Sequence, residues 1–319
     1  MSTTPLHSEV SVTGKYTIVG GARLQRRGGA YRGLSVVIIS RGGCFNRSEQ
    51  FSDIEKLGAR EIIAIERKSS SYDVEQLASR FSKVKFLLLH ESLNPGQMIN
   101  LGIKESNSSH VLVMWNNVRV QSLSDRMLQR VMDSESVCTA PQWKNEKSEL
   151  IPSVFIPAFF RRTIRLVPAV PSRDGQASIF PYDYVGIYNS EAFLSIGGYD
   201  ESMLHPHWQK MDFGMRAYLW GSSINCNASF RVTQITDSPA EDTTPDRDYL
   251  RFFLKNPAVR FTGDCAVLPR TVLLRLLLNR SVTIFDTVRE FRRARKWVYT
   301  NRYRYRQDAR RLLELWEEL

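Results

Sequence analysis

The chain has 319 residues, 42% of them hydrophobic and 24% charged, and its 44 Lys plus Arg outnumber 33 Asp plus Glu for a formal net charge of +11. That balance reads as globular, supplies enough apolar surface for a full core, and biases association toward polyanions such as nucleic acid, anionic lipid headgroups or nucleotide diphosphates. Cys44, Cys138, Cys226 and Cys265 are far apart and form no CxxC pair, which argues against a disulfide framework or a structural zinc site and fits a reducing compartment.

The opening MSTTPLHSEVSVTGKYTIVGG has neither a basic start nor a sustained apolar core, so it does not read as a signal peptide. With the basic, glycine-rich ARLQRRGGAYRG of 22–33 behind it, the segment 1–33 is expected to be a flexible basic lead-in. LSVVIIS (34–40) is a β-branched run without polar alternation, as in a strand covered on both faces of a parallel sheet. SEQFSDIEKLG (48–58) has helical apolar spacing and a glycine stop, EIIAIE (61–66) is a second strand, and SYDVEQLASRF is helical. VKFLLLH (84–90), GQMINLGIKES (96–106) and HVLVM (110–114) continue as strand, helix and strand. This alternation predicts an α/β domain with a mostly parallel central sheet.

Such sheets bind ligands beyond the carboxyl ends of their strands, which singles out Ser40 to Gly43, Glu66 to Ser69 and Trp115 to Asn117. A P-loop and a GxGxxG after the first strand are both missing from the sequence. No span reaches the roughly 18 apolar residues a transmembrane helix needs; VLPRTVLLRLLL from Val267 is cut by Arg270 and Arg275.

The order of these elements resembles family-2 glycosyltransferases of the GT-A fold. LNPGQMINLGIKESNSSHVLVM resembles that family's Asn-bearing helix and the strand leading to its Asp-x-Asp, with Asn100 and Gly102 in register. IGGYDESMLHPHWQKMDFGMRAYLWG (196–221) is similar to its Gly-Gly-Phe-Asp-Glu segment followed by Glu-Asp-x-Asp-Leu-x-x-Arg, with Gly197, Gly198, Tyr199, Asp200, Glu201, Asp212, Phe213, Arg216 and Gly221 in register. The resemblance covers about 34–240 and implies a nucleotide-sugar-binding domain over 34–262. It also implies that Ser40, Glu66, Asn100, Trp115, Asn116 and Asn117 lie on the donor side, Asp183 and Tyr184 contact a glycan or protein acceptor, and Lys210, His207 and Asp212 stand at the reaction centre.

Two departures from the family pattern delete carboxylates: Asp-x-Asp reads Trp115-Asn116-Asn117, and the later Glu-Asp reads Gln209-Lys210. A divalent cation wants hard, preferably anionic oxygens, so no metal cofactor is expected. If the protein is an enzyme, Lys210 would neutralise the leaving diphosphate directly and His205 or His207 would be the base, because a protonated lysine cannot be one. The alternative is a glycosyltransferase-like binder or scaffold without turnover.

Each residue also has a plain structural reading. Trp115 would pack at a strand end, Asn116 and Asn117 would make a turn, and Glu66 would cap a helix. Asp212 would support the start of a helix, while Lys210, His205 and His207 would be solvated. TVREFRRARKWVYTNRYRYRQDARRLLELWEEL (287–319) reads as one or two basic helices with Trp297, Tyr299, Tyr303 and Tyr305 interleaved. The segment 263–319 is foremost expected to pack on the domain with its charged face in water. Contact with an anionic membrane is a second reading, and nucleic-acid binding a weaker third. A cytoplasmic location, at most peripheral to the membrane, follows from these readings.

Overall fold

The computed structural model describes residues 10–12, 16–21, 31–42, 46–67, 73–160, 163–236, 241–278 and 284–316. Two short strands precede the expected start of order. β1 (Val10–Val12) pairs with β2 (Tyr16–Gly20), and β2 runs antiparallel to β5 (Val84–Leu89) from Tyr16 opposite Leu89 to Gly20 opposite Lys85. This corrects the reading of 1–33 as a wholly flexible lead-in: YTIVG is too short to announce itself as a strand, but it satisfies the open edge of β5. Cys44 lies outside the described residues.

β3 (Tyr31–Ile39), β4 (Glu61–Arg67), β5 and β6 (Ser108–Trp115) form the parallel centre in the order β5-β4-β3-β6. Val36, Val37, Ile39, Ile62, Ile63 and Val111 to Val113 are wholly buried, as the unbroken apolar runs predict for strands covered on both faces. The chain crosses through α1 (Arg47–Lys56) and α2 (Val74–Arg80), then returns past β3 through α3 (Pro95–Glu105). α3 begins with a capping box, in which the Asn94 side chain accepts from Gln97 N while Gln97 caps Asn94 N, and with Pro95 in the first turn. The strand order therefore reverses between β3 and β6, and a crevice opens at their carboxyl ends.

Beyond β6 the sheet becomes mixed, antiparallel except for one parallel pair. β7 (Val118–Ser122), α4 (Asp125–Met132), β8 (Cys138–Lys144), β9 (Leu150–Ile151) and the hairpin β10 (Val154–Phe160) to β11 (Thr163–Ala169) come next. After β12 (Gln176–Ala177) come β13 (Gly186–Asn189), α5 (Ser190–Ser195), α6 (Pro206–Leu219) and β14 (Ile224–Gln234). β13 pairs with β6, and the order continues through β8 and β14 to β12, with β7 on β14. The predicted mixed α/β class with a parallel sheet centre is what forms.

The last elements are α7 (Arg247–Lys255), the hairpin β15 (Arg260–Thr262) to β16 (Cys265–Val267), α8 (Arg270–Leu278), α9 (Ile284–Asn301) and α10 (Ala309–Glu314). The boundary expected at 262 falls inside that hairpin. α9 buries Thr287, Glu290, Phe291, Ala294 and Val298 along one face, the helical spacing that seats it on α7. Trp297 stacks on Trp220 at 5.7 Å, Tyr305 is buried with its hydroxyl donating to Lys255 O, and Trp316 packs on Tyr218. The C-terminal helices thus pack on the rest of the chain. Among the described residues no helix is long and apolar enough to cross a membrane.

Candidate active site

At the carboxyl edge, the loop after β3 and the loop after β6 are knitted together. Ser40 Oγ accepts from Gly42 N at 3.1 Å and from Asn116 Nδ2 at 3.3 Å, and Asn116 Oδ1 accepts from Arg41 N at 3.2 Å. Trp115 is 3% exposed and donates from Nε1 to the Asp183 carbonyl at 2.8 Å. The Arg41 guanidinium lies 3.8 Å over the Trp115 ring and pairs with the Asp183 carboxylate. Asp183 and Tyr184 both sit at positive φ, 51° and 64°, a conformation side-chain-bearing residues rarely adopt and that surrounding contacts must hold. Here those contacts are Trp115, Arg41 and the buried Tyr184 hydroxyl, which reaches Gln209 Oε1 at 3.0 Å.

The first turn and a half of α6 carries the second group. His207 Nδ1 faces Glu241 Oε2 at 2.9 Å, and Lys210 pairs with the other oxygen of the same carboxylate. Lys210 is 2% exposed, between the rings of Phe180 and Tyr184. Both the solvated reading of Lys210 and its use as an uncommitted cation are therefore corrected: its charge is matched by a carboxylate 31 residues away. Burial would raise the Glu241 pKa, but the His207 hydrogen bond and the Lys210 charge outweigh it and hold it at about 2. His205 Nε2 lies 3.6 Å from Asp242, and its backbone N donates to Asp248 Oδ2 at 2.8 Å. Gln209 is buried and accepts from Gly96 N while donating to Asp200 O and Met203 O. It closes a polar seam that a carboxylate, having no donors, would leave open.

Trp115, Asp183, Tyr184, His205, His207 and Lys210 together line one cavity of about 820 Å³, completed by Glu241 and by α7 and α9 through Arg251 and Glu290. Of the expected donor-side residues, Trp115 is in its wall; Ser40, Asn116 and Asn117 are not among its lining residues, Asn116 bonding to Ser40 and Asn117 to Thr236. Glu66, next to last in β4, forms an ion pair with Arg47 at 2.7 Å, and burial leaves its pKa raised although Arg47 pulls it down.

Two residues fall elsewhere. Asn100 clamps the glycine turn, accepting from Tyr199 N and donating to Tyr199 O, both at 2.9 Å. Gly198 at φ 61° has no room for a Cβ, which would meet Asn100 Oδ1 at 2.5 Å. Asp212 is fully buried in an ion cluster, with Arg216 Nε at 2.7 Å, Lys255 Nζ at 2.9 Å and Asn256 Nδ2 at 3.0 Å. Burial pushes its pKa up, but Arg216 and Lys255 more than offset that and hold it below the usual range. Arg216 in turn donates to Ile196 O and Gly198 O, so Asp212 positions the turn and is not among the residues lining the cavity.

Sequence reasoning overlooked Glu241. It sits in a polar, proline-bearing loop without periodicity, where nothing local marks one acid above its neighbours. The expectation of a base on α6 was the usable hint, since a buried histidine and lysine need a carboxylate.

No protein-family model matches the sequence, and neither does any curated protein. Solved structures do. Over 71% of this chain and 48% of its own, GalNAc-T7 crystallised with UDP, GalNAc and Mn2+ is similar at 13% identity and a TM-score of 0.56. TarS of S. aureus is similar at 13% identity and a TM-score of 0.48 over 81% of this chain and 42% of its own. The 1–349 fragment of TarS with UDP-GlcNAc gives 13% identity and 0.47 over 81% and 70%. The chain has the GT-A fold. It spans about half the length of GalNAc-T7.

The Mn2+ in the GalNAc-T7 crystal sets a test for this GT-A chain. Asn117 is buried, its Nδ2 donates to Thr236 Oγ1 at 3.0 Å, and its Oδ1 has no hydrogen-bond partner. Trp115 offers no oxygen, and the Asn116 amide is engaged by the loop backbone. One neutral oxygen is a poor donor set for a hard dication that takes six or more oxygens. No group of three or more His, Cys, Asp or Glu capable of holding a metal occurs among the described residues. The residues of this loop do not fit a divalent ion.

Proposed function

We propose that the protein binds a nucleotide-activated sugar at the carboxyl edge of β3, β4 and β6 and transfers the sugar, without a metal, to a glycan or protein acceptor in the adjoining cavity. The observation that carries the reading is the meeting of His207, Glu241 and Lys210 on the cavity wall of a GT-A fold. Glu241 accepts from His207 Nδ1 and fixes that tautomer, which leaves Nε2 as the basic nitrogen; Lys210 keeps Glu241 ionised. Nε2 takes the proton of the acceptor hydroxyl as its oxygen bonds to the anomeric carbon. The bond from that carbon to the phosphate oxygen breaks, and the electron pair leaves with the nucleotide diphosphate. Positive charge toward that leaving group would come from Arg41 and Arg251 in the cavity wall, which would have to share it with Asp183 and with Glu290 and Asp200, the carboxylates they pair with.

A second reading, a sugar-nucleotide binder without turnover, draws support from the Arg41–Trp115–Asp183 closure and from Gln209, which serve packing where carboxylates would serve chemistry. One experiment separates them: melting temperature and turnover with a panel of UDP-, GDP- and CDP-sugars in excess chelator. Turnover that falls by about 10²–10⁴-fold in His207→Gln, with the nucleotide-induced rise in melting temperature retained, supports catalysis. A rise without turnover supports the binder. No rise with any nucleotide, or strict dependence on Mn2+, overturns the proposal.

A further inference from the structure

α8 and α9 pack against each other, yet α8 has six apolar residues in nine and none of them is fully buried. Val272, Leu273 and Leu276 rest on the core, while Leu274 and Leu278, four apart and so on one helical face, are exposed, Leu278 to 82%. Ile284 and Phe285, in the first turn of α9, are exposed too, Phe285 to 91%. From there the solvent face of α9 reads Phe285, Arg289, Arg292, Lys296, Tyr299 and, just past its end, Tyr303. The steps of 4, 3, 4, 3 and 4 place them in one stripe. Aromatic rings stand at both ends and cations between them, and Arg302 stacks over Tyr299 at 4.0 Å and over Tyr303 at 4.5 Å.

We infer that this outer face of α8 and α9 is a docking surface for an anionic lipid bilayer, on which the helices lie in the headgroup plane. Leu274, Leu278, Ile284 and Phe285 enter the acyl boundary, and Arg292 and Lys296 meet lipid phosphates. Charge selects the occupant. Between 270 and 306 there are 11 basic side chains against 2 acidic ones, a surplus of nine out of the chain's +11. A second copy of the chain would bring this cationic face against itself. A nucleic acid would meet the cations but leave exposed leucines unused, since it rewards stacking rings and phosphate contacts. A bilayer takes both halves of the pattern. The reading is independent of whether the cavity turns over a sugar nucleotide.

The test is co-sedimentation of the full chain with vesicles of pure phosphatidylcholine or of equal parts phosphatidylcholine and phosphatidylglycerol, at two salt concentrations. Binding is expected to the anionic vesicles alone and to weaken with salt. Leu278→Ser/Phe285→Ser and Arg292→Glu/Lys296→Glu are each expected to reduce partitioning by about tenfold or more. All four side chains are exposed, so both variants should keep the wild-type melting temperature, which is checked alongside. The inference is overturned if anionic vesicles are not bound, or if both double variants bind as the wild type does. It is also overturned if the same residues instead mediate dimerisation or tighter binding to duplex RNA or DNA.

Discussion

The indole Nε1 of Trp115 donates to the Asp183 backbone carbonyl at 2.8 Å, tying the end of β6 to a loop that holds two successive left-handed residues. At the end of β6 this chain has a structural latch. Trp115→Phe keeps the ring but strands a buried carbonyl, and a cost of about 1–3 kcal/mol is expected by urea denaturation. Trp115→Asp should cost at least about 3 kcal/mol, since it empties the indole site and adds a carboxylate near Asp183. Calorimetry should detect no Mn2+ binding to either variant. A stable Trp115→Asp protein whose melting temperature rises with Mn2+ would mean that the loop is still built for a cation.

Asp212 is buried between Arg216 and Lys255. In Asp212→Asn the shape survives while Arg216 loses its carboxylate partner and Lys255 is left with Asp200 alone, so the expected loss is roughly 3–5 kcal/mol. The nucleotide-induced rise in melting temperature should persist in the fraction that folds. An Asp212→Asn protein of wild-type stability that has lost turnover would instead place Asp212 in the chemistry.

The sequence displays what periodicity can carry. Val36 to Ile39 and Val111 to Val113 are unbroken apolar runs because both faces of their strands are covered, and GQMINLGIKES shows the helical spacing that becomes α3. Pairings across long separations leave no such mark. Tyr16–Gly20 is legible as an edge strand only once β5 is in place, and Glu241 acquires meaning only when folding sets it against His207 and Lys210. The motif positions were readable as residues but not as roles: Asn100 and Asp212 were read in register and Gln209 as a departure, and all three are occupied in holding the Gly197–Met203 turn. Register records where a side chain sits along the backbone, and its partners decide its chemistry.

Acid should expose the Glu241 contribution. Its pKa is about 2 in the folded protein against an ordinary 4.5, so the folded state gains from its ionised form. That gain is complete above pH 4.5 and is lost as the pH falls toward 2, when the folded state must take up the proton as well. With the side chain 27% exposed, a contribution on the order of 2 kcal/mol is expected after solvent screening. Glu241→Gln should therefore be less stable than wild type at neutral pH and converge on it through that window. Asp200 and Asp212, also held below their ordinary range, still destabilise both proteins in acid, so the readout is the difference between the two curves. Parallel curves would show that Glu241 is not held by Lys210 and His207.

Gly214 shares a face of α6 with His207 and Lys210, seven and four residues before it. A Cβ at this position would run into the carbonyl oxygen of Ile179 and come within 3.5 Å of Phe180 Cβ. The first obstacle is backbone, so no rotamer change relieves it; the helix itself must move away from the 179–180 segment. Phe180 also carries the ring over which Lys210 Nζ lies at 5.1 Å and against which His207 packs edge-on. Gly214→Ala is therefore expected to cost about 1–3 kcal/mol by overpacking and, at temperatures where it remains folded, to lower turnover by displacing His207 from Glu241. Denaturant unfolding and a pH profile of turnover check the two effects separately. An alanine variant within about 0.5 kcal/mol of wild type would mean that α6 has slack at this crossing, and that the placement of His207 does not depend on the close approach of these two backbones.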